Sequence, residues 1–265
     1  MARNLPLPLA IPVAFIIAVP GAAQPPAKQA EVPFKERYTT YEVHGYYVHV
    51  SKDVDAQGKE KVNIALDTLE DRLGDALKVI PKNCCKRLQK IHFWVEWKNQ
   101  FYASSEDWKL ANAACYIPIG TKDARLIPEK DGGIEVPVFA FLLPPYNDST
   151  DKSYPFWLMH ELAHAYHDRV LGFDDKTVKA SYESAKKSRL YDEVERTTIG
   201  PNGLVWNTKM PAYARTNHKE YFAELSVAYL GRNCTYPHTA KDLRKHDPGG
   251  YALMKEVWGD KPIQK

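Results

Sequence analysis

Two histidines and a glutamate with a suggestive spacing lie in an apolar stretch near the middle of the chain. His160, Glu161 and His164 form the pattern H-E-x-x-H within the segment from Trp157 to Tyr166. Residues four apart lie on the same face of an α-helix, so both histidines can direct a ring nitrogen at one metal ion. Glu161 follows the first histidine, where its carboxylate can act as general base on a metal-bound water. The motif therefore predicts a hydrolytic zinc site on a buried helix.

The alternative interpretation of this stretch is a buried helix that carries two histidines by chance. The side chains between and around the motif are uncharged, as in Leu158, Met159, Leu162 and Ala163. Polar groups on such an apolar helix need partners once they are buried, since an unsatisfied buried polar group is costly. A bound metal ion supplies that partner, which favours the metal-site interpretation.

A catalytic zinc ion usually takes three protein ligands and one water, so the two histidines are not sufficient. The metzincin pattern, which places a third histidine after a glycine, fails because His167 occupies the glycine position and Val170 the ligand position. Four nearby side chains offer a ligand atom, and they are His167, Asp168, Asp174 and Asp175.

Glu220 is the stronger candidate for the third ligand. Glu220 and Glu224 are four residues apart in a segment that is otherwise rich in Tyr, Phe, Ala and Leu. Two carboxylates on one face of an apolar helix are costly unless they are satisfied by cations. Asn217 could instead cap this helix, with Glu220 as the third residue of a capping box. That alternative accounts for Glu220 but leaves Glu224 unexplained, so we predict Glu220 as a zinc ligand.

The residues around Glu220 resemble those of a known enzyme family. The order Tyr-x-Arg-Thr-Asn from Tyr213, followed by Glu-Tyr-Phe-Ala-Glu from Glu220, lies downstream of H-E-x-x-H. This combination is similar to the catalytic domain of anthrax lethal factor and its relatives, which are gluzincin-type zinc endopeptidases. The resemblance covers residues 155 to 230 and does not extend to the other domains of that toxin.

The resemblance implies a role for each matching residue. The zinc ligands would be His160, His164 and Glu220, and Glu161 would be the general base. Tyr213 matches a tyrosine that faces the oxyanion, and Glu224 matches a carboxylate that holds a ligand histidine. The implied activity is hydrolysis of peptide bonds. The alternative from a different class is a catalytically silent, secreted binding protein with the same zincin fold.

The first 23 residues have the pattern of a secretory signal peptide. Arg3 precedes an apolar run from Leu5 to Val19, and small residues follow up to Ala23. This pattern predicts export, to the cell exterior or the periplasm, and the absence of a membrane anchor after cleavage. We expect residues 24–265 to form one α+β catalytic domain of zincin type. An upper α/β part would span residues 34–172 and a lower, mainly helical part residues 173–265.

Charge and cysteine content restrict the partners and the compartment. A net charge of +3 gives no indication of nucleic-acid binding, so the expected partner is a peptide or protein substrate. Because an exported protein with four cysteines suggests two disulfides, we expect Cys84 and Cys85 each to pair with one of Cys115 and Cys234. Sequons at Asn147 and Asn233 are possible glycosylation sites, the second weakened by the adjacent Cys234.

Local patterns predict the elements around the site. Strands are expected over Tyr38–Val50, Ile91–Trp97 and Ile134–Leu143, helices over Gly58–Ile80, Asp174–Arg189 and Asn217–Leu230, a loop over Thr197–Asn207, and a last helical region over Lys241–Trp258 that is interrupted at Pro248. In zincins an edge strand often binds an extended peptide. The segment Ile134–Leu143 is the candidate for that role, with an ordinary core strand as the equal alternative.

Overall fold

The computed structural model describes residues 34–97, 114–122, 128–143, 157–199 and 205–260. The predicted signal peptide and the sequon at Asn147 lie outside the described residues. No helix in the described ranges combines the length and the apolar character needed to cross a membrane.

The described chain is mixed α+β, as predicted, with strands concentrated in its first half and helices in its second. The helices are α1 (Phe34–Arg37), α2 (Lys52–Asp55), α3 (Lys59–Val79), α4 (Lys82–Leu88), α5 (Trp157–Tyr166), α6 (Lys176–Lys187), α7 (His218–Leu230), α8 (Ala240–His246) and α9 (Pro248–Trp258). The strands are β1 (Tyr38–Val43), β2 (Tyr46–Ser51), β3 (Phe93–Val95), β4 (Cys115–Tyr116), β5 (Ile134–Val136), β6 (Val194–Ile199) and β7 (Val205–Met210).

Five strands form one small mixed sheet in the order β1-β2-β3-β5-β4. The pairs β2–β3 and β3–β5 are parallel, and the outer pairs β1–β2 and β4–β5 are antiparallel. The predicted strand over Tyr38–Val50 is a hairpin, because His44 and Gly45 adopt φ values of 49° and 80° and reverse the chain. Successive strand residues face opposite sides, and every residue of β3 and β5 is buried, so both faces of the sheet are covered at its centre.

Of the two equal alternatives for Ile134–Leu143, the edge strand is wrong and the core strand is confirmed for Ile134–Val136. Only Ile134–Val136 is extended, and this strand β5 lies between β3 and β4 inside the sheet. The residues after it turn into a 3₁₀-helix over Phe139–Leu142. The outer position next to β5 is taken by β4, which pairs Cys115 with Glu135 and Tyr116 with Ile134.

The prediction of a loop over Thr197–Asn207 is wrong at both of its ends. Strands β6 and β7 form an antiparallel hairpin whose register pairs Val194 with Met210 and Ile199 with Val205. The glycines and the proline that suggested a loop lie outside the described residues. The loop prediction also covered residues of the two strands, because the hairpin is mostly exposed and its side chains do not alternate clearly between apolar and polar.

The long helices agree with the predictions, and their termini have local causes. Helix α3 covers Lys59–Val79, ahead of Pro81, and α6 begins after Asp175, whose carboxylate accepts hydrogen bonds from two backbone amides. The predicted interruption of the last helical region is confirmed, since α8 ends at His246 and a new helix, α9, begins at Pro248 with Asp247 as its cap.

Candidate metal centre

Helix α5 carries the H-E-x-x-H motif and is buried along its whole length. It packs against α7, and the two helices bring their histidines and glutamates together. After Tyr166 the chain continues as a π-helical turn, His167–Leu171, and ends at Gly172 with φ of 83°. The motif therefore occupies the best-packed part of the molecule, where side chains have little freedom to move.

Three potential ligand atoms converge between these two helices. The Nε2 atoms of His160 and His164 are 3.0 Å apart, and the Oε2 atom of Glu220 lies 3.0 Å from the first and 3.1 Å from the second. All three side chains are buried. Among the described residues, this is the group of histidine, cysteine and acidic side chains that could hold a metal ion.

The chemistry of these three atoms requires a positive charge. The Nδ1 atom of His160 lies 2.9 Å from the Oε1 atom of Glu224, so Nδ1 carries the proton in a neutral ring. The Nε2 atom of His160 then presents a lone pair to the carboxylate oxygen of Glu220 at 3.0 Å. Such an arrangement is repulsive unless a proton or a metal ion lies among the three atoms. The residues therefore fit a metal ion.

The pKa values of His160 and Glu220 are shifted in the directions that favour a positive charge at this site. Burial lowers the pKa of His160, but hydrogen bonds to Glu220 and Glu224 outweigh it and raise the pKa to about 10. For Glu220, burial raises the pKa, and the two histidines outweigh burial and hold it well below its usual range. Without a metal ion, a second proton on His160 supplies the charge that the carboxylates need.

Glu161 is fixed from the neighbouring sheet rather than from its own helix. Its Oε2 atom accepts a hydrogen bond of 2.7 Å from the backbone N–H of Tyr116 on β4. Its Oε1 atom is buried without a hydrogen-bond partner among the described residues. Burial raises the pKa of Glu161, which the nearby histidines partly offset. One carboxylate oxygen is thus held in place while the other stays available.

Strand β4 is in turn held by the end of the motif helix. The carboxylate of Asp168 accepts hydrogen bonds from the Tyr116 hydroxyl at 3.0 Å and from the backbone N–H of Ile119 at 2.8 Å. Tyr116 therefore bridges Asp168 and Glu161, one through its hydroxyl and the other through its backbone. No local pattern indicates this contact, because it depends on which strand lies beside α5.

Tyr213 lies in a 3₁₀-helical turn, Tyr213–Arg215, immediately before α7. Its ring centroid is 6.0 Å from that of His160. Burial raises the pKa of Tyr213, and the charges of Glu220 and Glu161 raise it further, so the hydroxyl keeps its proton. The structure thus brings together all six residues that the sequence singled out: His160, Glu161, His164, Tyr213, Glu220 and Glu224.

The other candidates for the third ligand have different roles. His167 is fully buried against the rings of Phe173 and Phe222, and burial lowers its pKa to about 3. Asp168 holds β4, Asp174 pairs with Lys179 at the surface, and Asp175 caps α6.

Asn217 does cap helix α7, as the alternative interpretation proposed. Its side-chain oxygen accepts hydrogen bonds from the backbone amides of Lys219 and Glu220. The side chain of Glu220 nevertheless points to the two histidines. The N-cap is therefore confirmed, whereas the capping box is not formed, because the Glu220 carboxylate faces the histidines and not the backbone of Asn217.

The predicted disulfides are not formed, because all four cysteines are free. The thiol of Cys84 lies 3.6 Å from the Tyr166 hydroxyl, and that of Cys85 lies 3.5 Å from the carbonyl of Ile80. Cys115 lies on β4, and Cys234 lies beside Thr235. Cys84 and Cys85 share α4, whereas Cys115 and Cys234 lie on other segments, and the even count of cysteines could not reveal these separate environments.

Comparisons of the chain with models of known protein families, with curated proteins and with solved structures return no match. The assignment of a function therefore depends on the residues and the geometry of this site.

Proposed function

We propose that the protein is a zinc-dependent endopeptidase with a zincin-like catalytic domain. The observation that carries this proposal is the convergence of His160, His164 and Glu220 within about 3 Å of one another, with Glu161 beside them. The resemblance to the lethal-factor family assigns the same four residues to zinc binding and catalysis. We also propose that the protein is secreted, on the ground of the N-terminal signal pattern.

The donor set supports zinc as the metal. Two imidazoles and one carboxylate are the ligands of many catalytic zinc ions, whose fourth position stays open. Three atoms about 3 Å apart can all lie ~2.1 Å from one point beside their plane, which is the usual length of Zn–N and Zn–O bonds. Iron(II) also binds two histidines and a carboxylate, so metal analysis is part of the test.

When bound, zinc would lower the pKa of a water ligand to about 7 and polarise the carbonyl of the scissile peptide bond. Glu161 would accept the proton of the attacking water on its Oε1 atom and pass it to the leaving amine. Its other oxygen stays fixed by the backbone of Tyr116 during both transfers. Tyr213 retains its proton and would donate a hydrogen bond to the oxyanion.

The environment of Glu161 suits a general base. A carboxyl group with a raised pKa binds a proton more readily than an exposed glutamate does, and it must do so transiently in each turnover. The nearby histidines offset part of that shift, which keeps the carboxylate available in its ionised form. The proposed substrate is an extended peptide, and the edge strand beside the site is β4 rather than the predicted Ile134–Leu143.

The test combines metal analysis with cleavage of a broad peptide library. The purified protein should contain about one zinc per chain. Glu161→Gln should keep the zinc and lose about 10²–10⁴-fold in cleavage rate. Glu183→Gln, on the exposed face of α6, is the matched control and should leave both unchanged.

Four results would contradict the proposal. A folded protein without metal would remove the metal centre, and iron in place of zinc would redirect the chemistry. A zinc-loaded protein that cleaves no peptide in the library would support the silent binding protein. Full activity in Glu161→Gln would remove Glu161 as the base.

A further inference from the structure

Asn233 is a buried polar residue outside the motifs and directly behind the metal centre. Its residue exposure is 3%, although it belongs to the sequon Asn233-Cys234-Thr235. A buried asparagine cannot accept a glycan without unfolding of the segment around it. The buried side chain therefore has another role, and its contacts show what it holds.

Every polar group of the Asn233 side chain is engaged. Its Nδ2 atom donates to the Oε2 atom of Glu224 at 2.9 Å and to the backbone carbonyl of Glu224 at 3.3 Å. Its Oδ1 atom accepts a hydrogen bond of 3.2 Å from the backbone N–H of Thr235. Because one end faces acceptors and the other a donor, the orientation of the amide is fixed by its partners.

These contacts continue to the metal ligands. Glu224 receives Asn233 on Oε2 and faces the Nδ1 atom of His160 with Oε1 at 2.9 Å. Both oxygens of the Glu224 carboxylate are therefore held in place. The orientation of this carboxylate determines the direction in which the Nε2 atom of His160 points. The hydrogen bond that a ligand histidine donates to a carboxylate orients the ring and fixes its tautomer.

The segment around Asn233 is anchored independently of that side chain. The backbone N–H of Asn233 donates to the carbonyl of His238 at 2.8 Å. The next residues pair with β6, through Thr197 N–H to the carbonyl of Cys234 at 2.9 Å and through Tyr236 N–H to the carbonyl of Glu195 at 2.7 Å. A change confined to the Asn233 side chain therefore leaves the course of the backbone supported.

We propose that Asn233 is a positioning residue of the metal centre, which fixes the carboxylate of Glu224 against the Nδ1 atom of His160. This role rests on the proposed function, since it concerns the geometry of the zinc ligands. It extends the metal centre by one further layer of hydrogen bonds, from the segment beside β6 to α7 and then to α5.

Asn233→Asp is the direct test, because it keeps the shape and replaces the donor by a carboxylate that repels Glu224. We expect the zinc dissociation constant to rise about 10-fold or more, within the range known for partners of metal ligands. The visible spectrum of the cobalt-substituted protein should shift, because the ligand geometry changes. Asn207→Asp, the same change on the exposed strand β7, is the matched control and should alter neither measurement.

The double variant Asn233→Asp with Glu224→Gln separates positioning from a general structural effect. The glutamine amide can donate to Asp at position 233 while its oxygen still accepts from His160, which restores the hydrogen bond with reversed polarity. The double variant should therefore bind zinc more tightly than Asn233→Asp alone. If Asn233→Asp does not fold, Asn233→Ala removes the donor without adding charge and should show the same weakening.

The outcomes distinguish the two proposals. Unchanged zinc affinity and cobalt spectrum in the folded Asn233→Asp or Asn233→Ala protein would overturn the role of Asn233, as would simple additivity of the two substitutions. A wild-type protein that binds no zinc would overturn the proposed function itself. Peptide cleavage is not needed for any of these measurements.

Discussion

The fold contains two clusters of buried charged side chains, and they obtain their positive charge in different ways. Behind the sheet, the Nζ atom of Lys130 lies 2.6 Å from Glu96 and 2.9 Å from Glu135. Between α5 and α7, the carboxylates of Glu220 and Glu224 face histidines. The first cluster contains a permanent cation, whereas the second must bind a proton or a metal ion.

The two clusters differ in the groups that shift the pKa values of their members. Burial alone would lower the pKa of Lys130, but Glu135 and Glu96 outweigh it and raise the pKa, so the lysine stays charged. In the metal centre, no lysine or arginine pairs with Glu220 or Glu224 within the described part of the chain. A buried ion pair that is complete within the protein has a structural role, and a buried anionic cluster without its own cation is suited to bind one.

Glu220→Ala should have the largest effect, because it removes one of three metal ligands. We expect loss of stoichiometric zinc from the purified protein, measured by metal analysis after dialysis. Glu183→Ala on the surface of α6 is the control and should retain zinc. Normal zinc content in Glu220→Ala would show that the metal, if bound, uses a different third ligand.

Lys130→Met should strongly destabilise the fold and leave the metal centre intact. Removal of one partner from a buried ion pair leaves uncompensated charge and typically costs about 3–5 kcal/mol. Chemical denaturation should show this decrease in the free energy of unfolding, while the folded protein still binds one zinc. Lys78→Met, in an exposed ion pair with Asp75, is the matched control with little expected change.

The comparison also predicts how to restore stability. Glu135→Gln in the Lys130→Met background removes one of the unpaired carboxylates and should recover part of the lost free energy. If Lys130→Met lowers the free energy of unfolding by less than ~1 kcal/mol, the Lys130 cluster contributes no more than an exposed ion pair does. The contrast with the metal centre would then be wrong.

The sequence predicted the metal centre better than the second cluster, for a physical reason. His160 and His164 are brought together by the geometry of one helix, and Glu220 was identifiable as a carboxylate in an apolar helix. Lys130, Glu96 and Glu135 meet only after β3 and β5 pair and the 3₁₀ turn at Pro128–Lys130 folds over them. Nothing local in the sequence indicates such long-range pairing.

The same limit applies to the supports of the metal centre. The amide of Tyr116 and the side chain of Asn233 reach Glu161 and Glu224 from segments distant in sequence. In the sequence, Asn233 is recognisable only as part of a glycosylation sequon. Local rules also failed at the His44–Gly45 turn and for the cysteines, since a turn conformation and a thiol's neighbours depend on the packed structure.

The smallest of the expected effects concerns pH, and it tests how the metal centre obtains its charge without metal. The pKa of His160 is raised from 6.5 to about 10 in the metal-free protein, so zinc must displace a proton over most of the accessible range. Raising the pH removes this competitor, and apparent zinc affinity should increase about tenfold, or ~1.4 kcal/mol, per pH unit between pH 7 and 9. Titrations with a competing chelator, corrected for its own protonation, measure this slope.

The raised pKa of His160 also determines how the stability of the metal-free protein changes with pH. Because the pKa of His160 is higher in the folded than in the unfolded chain, its contribution is complete below about pH 6.5 and is lost as the pH rises through about 10. Glu224→Gln removes a hydrogen bond that raises this pKa, so the zinc affinity of the variant should vary less steeply with pH. A wild-type affinity that is constant from pH 7 to 9 would show that the cluster carries no extra proton, and the contrast with the Lys130 cluster would then rest on the metal ion alone.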